Sequence, residues 1–291
     1  MLMKSIILNT QIGTLAANLY LPQEIKQTPP VVIVTGAWTT VKEQMPAVYA
    51  EALTKQGFAA ITFDFRGWGQ SLDEVKYLEE PARKIEDIRA VIDSLAQRED
   101  IDGSNIFGLG ICASSGYMLD AVESNPHIRA AAAVAPWLHN ADLANAIYGG
   151  EASVQNLIQL SEDAAQGEQA VYIEAASTTN QNALMYQAPY YTEANRGQVA
   201  QYDNLFNVAS WKGWLTYDAV SGAADQDKPI LLVASEDMAL PDGTHQYLEN
   251  AKDNVSAIWL EGVSQFDFYD VPEHVEKATQ AVAQHFRSHI K

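Results

Sequence analysis

The single cysteine of the chain lies in Gly110-Ile-Cys112-Ala-Ser114, with one small residue two places before it and another two places after. That spacing suits a nucleophile raised on a sharp strand-to-helix turn, because only small neighbours let the backbone reverse so tightly. A thiolate held this way attacks a carbonyl carbon and leaves an acyl-cysteine. The Ala113 N–H, at the start of the helix, would stabilise the resulting oxyanion. A second donor is expected from Thr35-Gly-Ala-Trp-Thr-Thr40, at Ala37 or Trp38. Shifting the register by two makes Ser114 the nucleophile and Gly116 the second small residue, at the cost of a strand two residues longer.

An ordinary thiol, with a pKa of about 8.5, is only a few per cent thiolate at pH 7. A helix N-terminus contributes about 0.3–2 kcal/mol, which would bring the thiol toward half ionisation, against the pull of the protein's negative charge. The six histidines are the obvious proton acceptors. His139, in Ala135-Pro-Trp-Leu-His-Asn140, falls just beyond a strand on the side where the turn opens, and is the alternative base. Its other reading is a hydrogen-bonding anchor for the segment that follows. His245 lies farther along the same side, His127 belongs to the opposite end of the strands, and His274, His285 and His289 fall on a solvated last helix.

The elements that must carry these residues can be read from hydrophobic periodicity. Residues 31–34, 59–63, 105–110, 131–136, 230–235 and 256–262 are short, nearly all-apolar runs, as expected for strands buried on both faces of a parallel sheet. Helical patterns at 41–56, 82–98, 114–124, 243–252 and 271–289 alternate with them. Thr40…Glu43 and Asp270…Glu273 have capping-box spacing. Before them, residues 5–10 and 14–22, flanking Gln11-Ile-Gly13, predict an antiparallel opening hairpin. Between residues 140 and 228 the rhythm breaks in an aromatic-rich stretch, too long to be a bare loop. It is expected to be a helical cap inserted after the sixth strand, over the strands' carboxyl ends. The core would then be 1–139 and 229–291. Trp137, Tyr148 and Trp211 are candidates to line an apolar pocket beneath the cap.

Three stretches together, Asp64-Phe-Arg-Gly-Trp-Gly-Gln-Ser71, Ile101–Tyr117 and Leu231-Leu-Val-Ala-Ser-Glu-Asp-Met-Ala-Leu-Pro241, resemble the α/β hydrolases. The cysteine turn resembles the dienelactone hydrolase group. The resemblance implies a mostly parallel eight-stranded sheet flanked by helices, and a nucleophile–acid–histidine triad in that chain order. It places the acid at Asp237, after the seventh strand, and the histidine shortly after Gly262, where this chain has Gln265. A glutamine accepts and donates hydrogen bonds but takes no proton near neutral pH. The missing general acid–base is worth about 10²–10⁴-fold in rate. Asp64, Arg66 and Ser71 are read as shaping a turn, Glu43 as a helix cap and Asp267 as a solvated loop carboxylate.

Acidic residues outnumber Lys plus Arg by 37 to 18, a net charge of −19, which disfavours phosphate backbones and anionic membranes. A small molecule is therefore the expected partner, with no nucleic acid and no membrane. One cysteine permits no intrachain disulfide, and no apolar run suits a signal peptide or a membrane span, so a cytoplasmic location is expected. No metal spacing or phosphate-binding glycine loop is present, and no cofactor is implied. Three activities fit: hydrolysis of a small ester, thioester or lactone; ligand binding without turnover; or acyl transfer or lyase chemistry on the same scaffold.

Overall fold

The computed structural model describes residues 1–24 and 27–291. The chain opens with an antiparallel hairpin, β1 (Leu2–Thr10) and β2 (Gly13–Leu21), turned at Gln11-Ile12. Then come β3 (Pro30–Thr35), α1 (Met45–Lys55), β4 (Ala59–Phe63), α2 (Pro81–Leu95), β5 (Asp102–Ile111), α3 (Ser114–Val122) and β6 (Ile128–Val134). An insertion follows, with α4 (Ala141–Ile147), α5 (Glu151–Gln166), β7 (Tyr172–Glu174), β8 (Ala176–Ser177), β9 (Met185–Tyr186), β10 (Leu205–Asn207) and α6 (Ser210–Leu215). The chain closes with β11 (Ile230–Ala234), α7 (Pro241–Asn250), β12 (Val255–Trp259), α8 (Asp267–Asp270) and α9 (Pro272–Arg287).

Eight strands form one sheet in the order β1-β2-β4-β3-β5-β6-β11-β12. The pairings from β4 to β12 are parallel, and β2 joins β4 antiparallel. Val31–Thr35 and every residue of β4 are buried, because helices cover both faces of the inner strands. The edge strands β1 and β12 keep several side chains in solvent. The helix pair α1/α9 packs on β3, β4, β6 and β11, and α2/α3 packs on β1, β5 and β6. Phe107 of β5 stacks on Phe286 of α9 at 4.7 Å, fixing that layer to the middle of the sheet.

Two helix starts differ from the capping boxes expected. The Thr40 hydroxyl donates to the Ala37 carbonyl, and α1 begins later, at Met45. The Asp270 carboxylate is held instead by both nitrogens of an Arg196 fork at 2.7 Å, which ties the insertion to the foot of α9. In both cases another partner outcompetes the expected cap. The last three histidines, on and just after α9, are also drier than expected. His274, His285 and His289 are all half-buried, and burial lowers the His285 pKa to about 4. Among the described residues, no helix is long and apolar enough to cross a membrane.

Candidate active site

Parallel strands deliver their following loops to one end of the sheet, and there the loops after β3, β5, β6, β11 and β12 converge. Cys112 is the first residue after β5 and has φ 57°, in the left-handed region that a side chain disfavours. Such a conformation costs about 1–3 kcal/mol and persists only where neighbours dictate it. Here the Cys112 N–H donates to Val134, and its carbonyl accepts from Ser115 and Trp137. A Cβ at Gly110 would stand 2.3 Å from the Ser114 carbonyl oxygen, so the small residue before the turn is a steric requirement. Ser114 does not compete for the exposed place, since it is 1% exposed and its hydroxyl donates to the Gly36 carbonyl.

Cys112 is 6% exposed and lines a cavity of about 350 Å³. The N–H groups of Ala113 and Trp38, the Tyr269 hydroxyl and the Gln265 amide are the polar groups that favour its thiolate form. Of the two candidate loop donors, the Trp38 N–H is among these groups, whereas the Ala37 N–H is turned to the Met45 sulfur at 3.5 Å. Burial pushes the thiol pKa above its ordinary value, and those four groups pull the other way without overcoming it. The half-ionised thiol expected from the helix N-terminus is therefore not what the fold produces. Desolvation exceeds the help of one helix end.

Gln265 is bound on both sides. Its Oε1 accepts from the Ala239 N–H at 3.0 Å, and its Nε2 donates to the Ala135 carbonyl and the Tyr269 oxygen, each at 3.1 Å. The Asp237 carboxylate does not join this arrangement. Asp237 is exposed and lies outside the cavity lining, and among the described residues its one hydrogen bond runs from its backbone N–H to the Ser235 hydroxyl. A neutral amide already satisfied by backbone groups offers the carboxylate no proton to hold. The resemblance placed an acid beside position 265; the structure leaves the two uncoupled.

His139 does not face the sulfur either. It is 1% exposed and absent from the cavity wall, with its Nε2 2.7 Å from the Trp214 carbonyl oxygen and its ring 4.4 Å from the Trp214 ring. Burial lowers its pKa. The anchoring role, not the alternative base, matches this placement. His245 stacks on Trp259 at the surface and meets Glu236 at 3.0 Å. Glu43 pairs with Lys42, and Asp267 accepts from Ser264 within its own loop.

The cavity wall is apolar and aromatic. Trp137 and Tyr148 line it as expected, together with Trp38, Tyr191, Trp214 and Phe266. Trp211 stands behind, edge-on to Trp38 at 6.0 Å and to Tyr148 at 5.4 Å. Trp38 stacks on Trp214 at 4.7 Å, so the insertion packs directly on the loop after β3. Among the described residues, no Asp, Glu, His, Lys or Arg lines this cavity. A roomier groove of about 490 Å³ between α1 and α9 is lined by Glu43, Glu51 and Glu276, with neither cysteine nor serine in its wall among the described residues. Tyr269 is the site residue that motif reading passed over. Its signal was spacing: four residues after Gln265, on a segment entering a helix, it meets the same neighbour.

A mostly parallel eight-stranded sheet with a strained turn after β5 defines an α/β hydrolase. Residues 27–203 match the family described as serine aminopeptidase, S33, and the chain belongs to that family. It is 27% identical to the uncharacterized protein YcjY of Escherichia coli K12, over 94% of each chain. Its fold is similar to that of the hypothetical protein PA2218 of Pseudomonas aeruginosa, with TM-score 0.86, 20% identity, and 99% and 94% of the two chains covered. A dienelactone hydrolase from Anabaena variabilis is more distant, with TM-score 0.61, 12% identity, and 100% and 99% coverage.

Proposed function

We propose that Cys112 is an acyl-accepting nucleophile for uncharged, largely apolar esters, thioesters or lactones, and that the acyl group leaves slowly because position 265 holds no base. The carrying observation is a left-handed Cys112 in the wall of a cavity without charged lining among the described residues, with the Ala113 and Trp38 N–H groups favouring its thiolate form. The thiolate attacks the carbonyl carbon, a C–S bond forms, and the oxyanion is held by the two N–H groups. Collapse expels the alkoxide or thiolate, which takes its proton from solvent, and the acyl group remains on sulfur. The segment 140–228 serves as the cap that closes the apolar chamber over this intermediate. The decisive test is intact-mass measurement after incubation with p-nitrophenyl acetate. A single acetyl group retained on Cys112 is expected, and a wild-type chain with neither adduct nor nitrophenol release would sink the reading.

The raised thiol pKa has a sign that can be checked. Below that pKa the thiolate fraction grows about tenfold per pH unit, so adduct formation is expected to climb at that rate from pH 6 to 8. Tyr269→Phe removes a hydrogen bond that favours the thiolate. Hydrogen bonds to charged groups are worth about 1.5–3 kcal/mol, so the variant should acylate at least about tenfold more slowly at pH 7, with its profile displaced to higher pH. A profile flat with pH in both proteins would contradict this role.

The uncoupled Gln265 and Asp237 also favour a second reading, in which the chamber holds a ligand without cleaving it. Gln265→His separates the two. If the site forms an acyl-cysteine, the variant should release the acyl group about 10² times faster than wild type. That is the low end for a general base, because no carboxylate is in place to orient the ring. No gain in release or turnover favours the ligand-holding reading.

A further inference from the structure

We propose that Glu79 is a positioning residue for the oxyanion hole, holding the Trp38 segment against the helix that follows Cys112. The proposal rests on the acyl-cysteine reading above. Glu79 lies between β4 and α2 and is fully buried. One carboxylate oxygen accepts the Thr39 N–H at 2.9 Å. The other accepts the Tyr117 hydroxyl at 2.9 Å and meets the Lys84 ammonium at 2.7 Å.

These partners come from the two halves of the oxyanion hole. Thr39 directly follows Trp38, and Tyr117 sits one turn into α3, the helix that begins just after Ala113. One carboxylate therefore spans the gap between the loop donor and the helix donor. Thr39 needs such a hold, since it is β-branched and has φ 64°. Left alone, it would relax to negative φ and turn the peptide planes around Trp38.

The carboxylate's own place is fixed from below and above. Lys84, 2% exposed, lies over the rings of Phe65 and Trp68 at 4.6 and 4.7 Å, so its charge is confined beside Glu79. The Glu79 N–H donates to the Ser210 hydroxyl of the insertion, and the Thr39 hydroxyl meets the Tyr202 hydroxyl at 3.1 Å. Movement of the insertion is thus linked to the oxyanion loop through Glu79 and Thr39. A structural ion pair buried elsewhere would have no such route to the sulfur.

Glu79→Gln keeps the side-chain shape but removes the charge and sets an NH₂ group either against the Thr39 N–H or against the Tyr117 and Lys84 donors. Single-turnover acylation by p-nitrophenyl acetate separates the acylation rate constant from the half-saturating ester concentration. The proposal expects the rate constant to fall at least about tenfold, with half-saturation unchanged within about twofold, because the apolar wall is untouched. This is part of the roughly 10²–10³-fold that one oxyanion donor supplies. A rate constant within twofold of wild type overturns the proposal, whatever the loss of thermal stability. If that variant does not fold, Tyr117→Phe removes one tie only and is expected to slow acylation severalfold; an unchanged rate overturns the proposal equally. Failure of the underlying reading looks different, since then wild type itself takes up no acetyl group.

Discussion

Cys112→Ala is expected to take up no acetyl group from p-nitrophenyl acetate and to release nitrophenol no faster than buffer. The substitution removes the sulfur while leaving the turn in place. Alanine meets the same penalty at φ 57° as cysteine does, and Val134, Ser115 and Trp137 still bind the backbone there. Stability should therefore change by no more than about 1–2 kcal/mol. The cavity, 350 Å³ and free of charged lining among the described residues, should still admit apolar ligands, so retained binding with lost acylation separates chemistry from recognition. The test is intact-mass spectrometry beside a nitrophenol time course. Acetyl mass on the Ala variant would mean that another group is the acceptor.

The second large effect is expected on stability, from Lys42→Met. Lys42 and Asp64 are almost fully buried, with their charged atoms 2.7 Å apart. The ammonium also binds the Gln70 side-chain oxygen and Glu43, each at 2.7 Å. Asp64 accepts the N–H groups of Lys42 and Gln70, and a Cβ at Gly69 would fall 2.4 Å from its carboxylate. The pair thus joins the loop after β3 to the turn after β4. Methionine fills the volume but leaves Asp64 buried without a cation, a change that costs about 3–5 kcal/mol. At about 2–4 °C per kcal/mol for a chain of this size, the melting temperature should drop by roughly 10 °C. Thermal unfolding followed by circular dichroism measures it, and an unchanged melting temperature would show that the buried charges are dispensable.

The same region explains which parts of the site could be read without coordinates. Asp64 and Ser71 were read as turn-shaping, and they are: Ser71 donates to the Asp64 carbonyl and accepts from Ala16. The cysteine turn was legible because sterics there are local. Gly110 and Cys112 are near neighbours in the chain, and one turn constrains both. The strands were legible because burial on both faces demands uninterrupted apolar runs, and β4 matches its sequence run residue for residue. Helix starts were less legible, since Thr40 and Asp270 had other competitors for their side chains. The Glu79–Lys84 pair was invisible in sequence, because nothing in a charged residue's neighbours says that it will be sealed in the core.

Residue order alone was enough for an alternating sheet-and-helix scaffold, a tight turn bearing the sole cysteine, and the absence of a histidine at the family's usual place. These depend on periodicity, glycine sterics and residue identity, all of which act over a few neighbours. The packed fold alone turns the Ala37 N–H to Met45, sets Trp38 and Tyr269 in the same cavity wall as Cys112, and leaves Asp237 and His139 out of that wall. Those outcomes depend on which loops meet at the end of the sheet. The thiol's charge state follows the same rule, since burial is a property of everything packed around an atom and not of the residues on either side of it.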